Sequence, residues 1–198
     1  APILQYADLS YGLDFEGNPA YFAAVTPGVP NDEWAVMLSN VEFSVPHGLF
    51  DAPFTLELSH PTDEAIIYYT LDGTDPAESD SAIEYTGPIA VERTTVVRAF
   101  ADTWGTTSAT TTQTYIFLSS VLAQTNDQNA IGFPDIWHAG AGGSGIYHAE
   151  YRDADYEMDP QIVNDPVWGP QLIEALTQIP TMSLTLDPED LWDEDNGI

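Results

Sequence analysis

The sequence predicts a mainly β protein built around an antiparallel β-sandwich, with short helices and long loops in its last third. Three observations carry this. Short apolar runs recur at 41–45, 54–58, 65–71, 88–92, 94–101 and 106–117, and turn residues separate them at the spacing of sandwich strands. Within the runs, apolar and polar positions alternate with the period of two that places one set on a buried face. The strings between them are rich in Gly, Pro and Asp, the residues that turns select.

In order along the chain, residues 1–40 are dominated by turn strings: Tyr11-Gly12, Glu16-Gly17-Asn18-Pro19 and Thr26-Pro27-Gly28-Val29-Pro30-Asn31. Tyr6, Tyr11, Phe15, Tyr21 and Phe22 lie between them in short extended segments, so residues 1–31 read as the end of a β-domain and 32–40 as a linker. Residues 41–118 form the core domain. Phe54, Leu56 and Leu58 alternate with Thr55 and Glu57, and Ile67, Tyr69 and Leu71 alternate with Ile66, Tyr68 and Thr70. The string Asp72-Gly73-Thr74-Asp75-Pro76 is a strong turn signal, with Gly73 able to take a positive φ.

Residues 119–198 lose this rhythm. The stretch 124–152 reads as a long loop packed by Phe133, Trp137, Tyr147 and Tyr151. Asp159-Pro160 and Asp187-Pro188 each pair a capping Asp with a Pro suited to a first helical turn. Leu172, Ala175, Leu176 and Ile179 are spaced as the apolar stripe of a short helix ended by Pro180, and Met182, Leu184 and Leu186 then alternate as a strand.

Charge narrows the function. The chain of 198 residues carries 32 Asp and Glu against three basic residues, Arg93, Arg98 and Arg152, for a net charge of −29. Such a surface repels nucleic acid and anionic membrane, so neither is an expected partner. No apolar run approaches the roughly 18 residues that span a bilayer, so no membrane insertion is expected. There are no cysteines, and hence no disulfide framework. The chain opens on Ala-Pro without an initiator Met or a charged-then-apolar leader, which predicts a processed, excised or engineered chain.

Motifs of catalysis are weak. Gly140-Ala141-Gly142-Gly143-Ser144-Gly145 fits a G-x-G-x-x-G string, but no apolar strand precedes it and no helical stripe follows, so it reads as a flexible loop. Ser144 lacks a nucleophile elbow, because residue 146 is Ile where that motif has Gly. His47, His60, His138 and His148 are too scattered for a paired-histidine metal helix, although His148 and Glu150 suit one face of a strand. The run of Asp187, Glu189, Asp190, Asp193, Glu194 and Asp195 is oxygen-rich enough for calcium, but lacks the twelve-residue spacing of a calcium loop and equally suits a helix start. With 32 acidic residues no pair of carboxylates singles itself out as a hydrolytic couple. No catalytic residue, metal ligand or cofactor site is therefore assigned, calcium being the one ion to consider. Trp104, in the turn Asp102-Thr103-Trp104-Gly105, is the candidate to stack on a sugar ring, against the plainer role of core or turn packing.

The central segment resembles the chitobiase/β-hexosaminidase C-terminal type of domain, also described as fibronectin type III-associated. The resemblance rests on Ala65-Ile66-Ile67-Tyr68-Tyr69-Thr70-Leu71-Asp72-Gly73-Thr74-Asp75-Pro76, on Tyr85-Thr86-Gly87-Pro88-Ile89, and on Thr94-Thr95-Val96-Val97-Arg98-Ala99 with the closing Thr114-Tyr115-Ile116. It implies an immunoglobulin/fibronectin-like sandwich that is an accessory, non-catalytic module in glycosidases. Less sharply, Ser10-Tyr11-Gly12, Tyr21-Phe22-Ala23 and the string from Thr26 to Asn31 resemble the end of a bacterial lamin-tail domain. Val121-Leu122-Ala123-Gln124-Thr125-Asn126, Gly132-Phe133-Pro134, Tyr156-Glu157-Met158-Asp159-Pro160, Ile179-Pro180-Thr181-Met182-Ser183-Leu184 and Gly197-Ile198 resemble the approach to a CotH-like domain.

Together these imply an interior slice of a large secreted or cell-surface bacterial protein. The expected function is a non-catalytic module that spaces domains, adheres to polysaccharide or cell-surface glycan, or assembles with copies of itself through open β-edges. The alternative is an accessory fragment of an enzyme, a glycoside hydrolase or a CotH-like kinase, whose catalytic residues lie outside this chain.

Overall fold

The computed structural model describes residues 9–22, 27–28, 37–126, 136–139, 150–153 and 155–186, the side chains of 136–139 and 150–153 excepted. The protein is mainly β, with several antiparallel sheets and few short helices, consistent with a β-sandwich, as the sequence predicts. It divides into two compact units, Ala1–Gly48 with Pro53–Tyr115, and Leu49–Ala52 with Ile116–Ile198.

In the first unit, β1 (Ser10–Leu13), β2 (Pro19–Phe22) and β3 (Met37–Leu38) form an antiparallel meander. Its first turn arises where the sequence signals it. The Asp14 carboxylate accepts the backbone N–H groups of Glu16 at 2.9 Å and Asn18 at 2.8 Å, the short side chain standing in for a strand partner. Ala20, Tyr21 and Phe22 are buried, and the Tyr21 ring meets Tyr11 edge-on at 5.0 Å. Met37 and Leu38 fall in the stretch read as a linker, yet pair with Tyr21 and Ala20. Leu38 also bridges to Ser108.

Two further layers make the sandwich. One contains β4 (Glu42–Phe43), β6 (Phe54–Leu56), β7 (Leu58–Ser59) and β10 (Ile89–Val91), paired as β4 with β7 and β6 with β10. The other runs in the order β9 (Ile83–Glu84), β8 (Ile66–Thr70), β11 (Thr95–Thr103), β13 (Thr111–Phe117), with β12 (Thr106–Thr107) folded back on the end of β11. Each layer buries an apolar face: Leu56, Leu58, Ile89 and Val91 on one, Ile67, Val97, Ala99, Ala101 and Tyr115 on the other. Burial of this set is the main stabilising term, at about 25 cal/mol for each Å² of apolar surface removed from water.

The register explains one departure from the sequence pattern. Ile67 and Tyr69 lie opposite Ala101 and Ala99, as alternation requires, but Leu71 does not continue that face: Thr70 is wholly buried and Leu71 is exposed. β8 ends at Thr70, where the chain turns back over the outer face of the sheet and the Thr70 hydroxyl donates to the Thr74 carbonyl at 2.6 Å. A buried hydroxyl is tolerated there because it has this partner.

His60 ties the meander to the sandwich. Its Nε2 lies 2.8 Å from the Ser39 carbonyl and must donate to it, which leaves Nδ1 to accept the Thr62 N–H at 3.1 Å. Both ring nitrogens are thereby committed, and the histidine is structural.

The second unit contains the Phe50–Phe117 ring pair, 6.0 Å apart, and α1 (Leu118–Leu122), which starts directly from β13. The stretch 124–152, read as a long loop, instead contains a hairpin: β14 (Ile136–Ala139) pairs antiparallel with β15 (Glu150–Asp153), setting Trp137 opposite Arg152 and His138 opposite Tyr151. Four residues a side is too short a run for periodicity to separate a strand from a loop. Phe133 and Tyr147 lie outside the described residues. Asn126 accepts the N–H groups of Tyr156 at 2.6 Å and Glu157 at 3.2 Å, so one amide gathers two sequence-distant segments.

The first helix start is as expected. Asp159 caps α2 (Pro160–Val163) by accepting the Gln161 N–H at 2.8 Å, with Pro160 in the first turn. After a 3-10 turn (Gly169–Gln171), α3 (Leu172–Gln178) half-buries Leu172 and Leu176 and gives way to extended chain at Ile179, before Pro180. Residues 182–186 do not form the expected strand. Met182 and Leu184 are exposed, and no strand among the described residues pairs with them. Alternation supplies a face but not a neighbour, and an unpaired extended segment has no ladder to hold it. Asp187-Pro188 lies outside the described residues.

Candidate functional site

The site grows from the longest strand. β11 carries a core face (Val97, Ala99, Ala101) and an outer face (Arg98, Phe100, Asp102), and it ends in a hairpin with Thr103 opposite Thr106 and Asp102 opposite Thr107. Two residues close this hairpin, Trp104 with φ 51° and Gly105 with φ 91°. Two positive φ values in a two-residue loop are the type I′ geometry, whose twist matches that of the flanking strands. Gly105 takes such a φ freely. Trp104 does not: among the described non-glycine residues it alone has a positive φ, and a left-handed conformation costs a bulky residue about 1–2 kcal/mol.

That cost is not offset by burial, because the Trp104 side chain is 93% exposed. Asn, Asp or Gly would satisfy the turn with less strain. Trp104 is thus an exposed aromatic at the hairpin tip, where neither core nor turn packing holds its ring. At the base of the hairpin the Asp102 carboxylate accepts the Gly105 N–H at 3.2 Å through Oδ1. Its other oxygen has no hydrogen-bond partner among the described residues. Across the register from Asp102 stands Ile66, which is exposed. Asp102 drew no separate assignment from the sequence, although an acid two residues before a Trp-Gly pair is a readable signal for a self-capped turn.

The motif residues around Asp72 form a different kind of structure. Asp72 accepts the Thr74 N–H at 3.0 Å, the Thr74 hydroxyl at 2.6 Å and the Ser81 hydroxyl at 2.8 Å. Slight burial pushes its carboxyl pKa up, but these donors pull harder and hold it below the usual aspartate value. Arg98 pins the same turn to the sheet, donating to the Gly73 carbonyl at 3.2 Å and to Asp75 at 2.8 Å, while the Thr110 hydroxyl adds a bond to Asp75 at 3.0 Å. Arg98 Nε is buried without a hydrogen-bond partner among the described residues, but the Asp72 and Asp75 carboxylates and both terminal nitrogens of Arg98 are engaged from within, so the cluster is a clasp and not a binding site.

Other sequence candidates are placed as follows. His47 gives both its backbone N–H and its Nδ1 to the Gln113 side-chain oxygen, each at 2.8 Å. Among the described residues no three His, Asp or Glu side chains converge as metal ligands. His148, the glycine string 140–145 and the acidic run from Asp187 to Asp195 lie outside the described residues, as does the side chain of His138. Among the described residues no helix is long and apolar enough to cross a membrane.

The fold and this site define a small antiparallel sandwich that presents a lone, strained aromatic on a hairpin tip. Residues 45–114 match the family model of the chitobiase/beta-hexosaminidase C-terminal domain, a module found at the C-terminus of glycoside hydrolases. The match contains both the Asp72 clasp and the Trp104 hairpin and falls within the segment 41–118 that the sequence marks as the core domain. No curated protein and no solved structure matches the chain.

Proposed function

We propose that this chain is a non-catalytic, glycan-adhering accessory module of a larger secreted or cell-surface bacterial protein, and that Trp104 is its contact residue. The observation that carries the reading is the conflict at Trp104. A large apolar ring occupies a backbone position that disfavours it and contributes nothing to the core, and strain retained at an exposed site is where function is to be sought. An indole face held clear of the surface suits a sugar ring, whose C–H face packs against aromatic carbon. The family match supports an accessory role, since such domains accompany glycoside hydrolases. It equally favours the second reading, in which this module serves an enzyme whose catalytic residues lie elsewhere. In both, the flanks belong to neighbouring lamin-tail-like and CotH-like regions.

The test is retention on immobilised chitin and cellulose at moderate salt. Wild type should bind saturably, and Trp104→Asn should bind on the order of tenfold or more weakly, one aromatic contact of about 1.4 kcal/mol being worth that factor. Asn is preferred at this turn position, so the variant should melt no lower than wild type. Equal retention of both proteins would remove Trp104 from the role.

A further inference from the structure

Resting on the reading of Trp104 as a glycan contact, we infer that the sugar it holds is uncharged or cationic, and that glycans bearing carboxylate or sulfate groups are excluded. The inference comes from where the cations are. The first unit contains two basic residues other than histidine, Arg93 and Arg98. Arg98 is spent in the clasp, both terminal nitrogens engaged by Gly73 and Asp75, its side chain only 18% exposed. Arg93 precedes β11, whereas Trp104 follows it. A nine-residue strand at about 3.3 Å per residue separates the two by roughly 30 Å, farther than any side chain spans. The two histidines of the first unit offer no substitute, because His60 has both nitrogens engaged and His47 is held by Gln113, which pairs with Val97 well back along β11.

The charges near the tip are instead negative. Asp102 lies two residues from Trp104, and Asp63 and Glu64 lie three and two residues before Ile66, the β8 residue that pairs with Asp102. An anionic glycan stacked on Trp104 would meet these carboxylates and no counter-charge from the described residues of the first unit, in a chain of net charge −29. A hydroxyl-bearing or ammonium-bearing sugar, in contrast, can donate to the Asp102 oxygen left without a partner, and an ammonium group is attracted to the indole face as well. Salt should relax the penalty on anionic glycans and leave neutral binding nearly unchanged.

The experiment compares matched polymers: cellulose against carboxymethylcellulose, which share a backbone and differ in carboxylate, with chitosan as the cationic arm. Each is measured at low and at moderate salt with wild type, Trp104→Asn and Asp102→Asn. The expected result is Trp104-dependent retention on cellulose and chitosan, with binding to carboxymethylcellulose at least tenfold weaker at low salt. Asp102→Asn, whose amide oxygen still accepts the Gly105 N–H, should narrow the gap between chitosan and carboxymethylcellulose. Trp104-dependent binding to carboxymethylcellulose as tight as to cellulose would overturn the charge inference and leave the proposed function standing. Absence of Trp104-dependent binding to all three would remove both.

Discussion

Replacing Tyr115 by alanine is expected to destabilise the first unit by about 3–5 kcal/mol, the range for deleting a buried aromatic. Tyr115 is wholly buried on the core face of β13, its ring meets Phe54 of the opposite layer edge-on at 5.1 Å, and its hydroxyl donates to the Val45 carbonyl at 2.7 Å. The side chain thus joins both layers and ties Val45, which follows β4, to β13. Tyr115→Phe keeps the ring and removes the donor, so it should cost about 1 kcal/mol, the ordinary net worth of a hydrogen bond, since Val45 is only half-buried. Urea unfolding separates the two contributions, and equal losses for Phe and Ala would contradict this account. Burial also pushes the Tyr115 phenol pKa well up. A group whose folded pKa is raised leaves stability intact below the unfolded value of about 10 and erodes it as pH climbs above. Wild type should therefore lose stability above about pH 10 more steeply than Tyr115→Phe.

Arg98→Met is expected to lower stability by about 2 kcal/mol, since two largely buried hydrogen bonds from a charged donor disappear and Asp75 loses its counter-charge. In a domain of this size that corresponds to a fall in melting temperature of roughly 10 °C. Arg98→Lys should not rescue it, because one ammonium cannot reproduce the fork that reaches Gly73 and Asp75 together. Asp75→Asn in the Met background should cost less than in wild type, and additivity of the two changes would show that the pair is not coupled. Glycan retention through Trp104 should survive, as the clasp lies mid-strand and the indole at the strand's end.

Much of this architecture is legible from residue order. The alternation of Phe54, Leu56 and Leu58, the Asp-Gly turn at 72–73 and the run from Val96 to Ala101 each encode a local choice that the fold adopts. The capping Asp159 and the helix of α3 were equally readable, but of its expected apolar stripe only Leu172 and Leu176 are half-buried, Ala175 and Ile179 being exposed. Leu71 and Met182 failed for a common reason: pattern assigns a face, but only a partner strand or a covering turn decides whether that face is buried.

Trp104 shows the same division at the site. Its position in a turn follows from the Asp and Gly around it, and the acidic composition by itself disfavours anionic partners. Its exposure, its positive φ and its distance from Arg93 were set by tertiary structure. Sequence encodes local torsional preference and the alternation of faces, interactions within a few residues of one another. Register brings Arg98 onto the clasp, folds the 72–76 turn over Thr70 and leaves the hairpin tip without a cation from the described residues of the first unit, and these depend on residues that meet only once the sheet has formed.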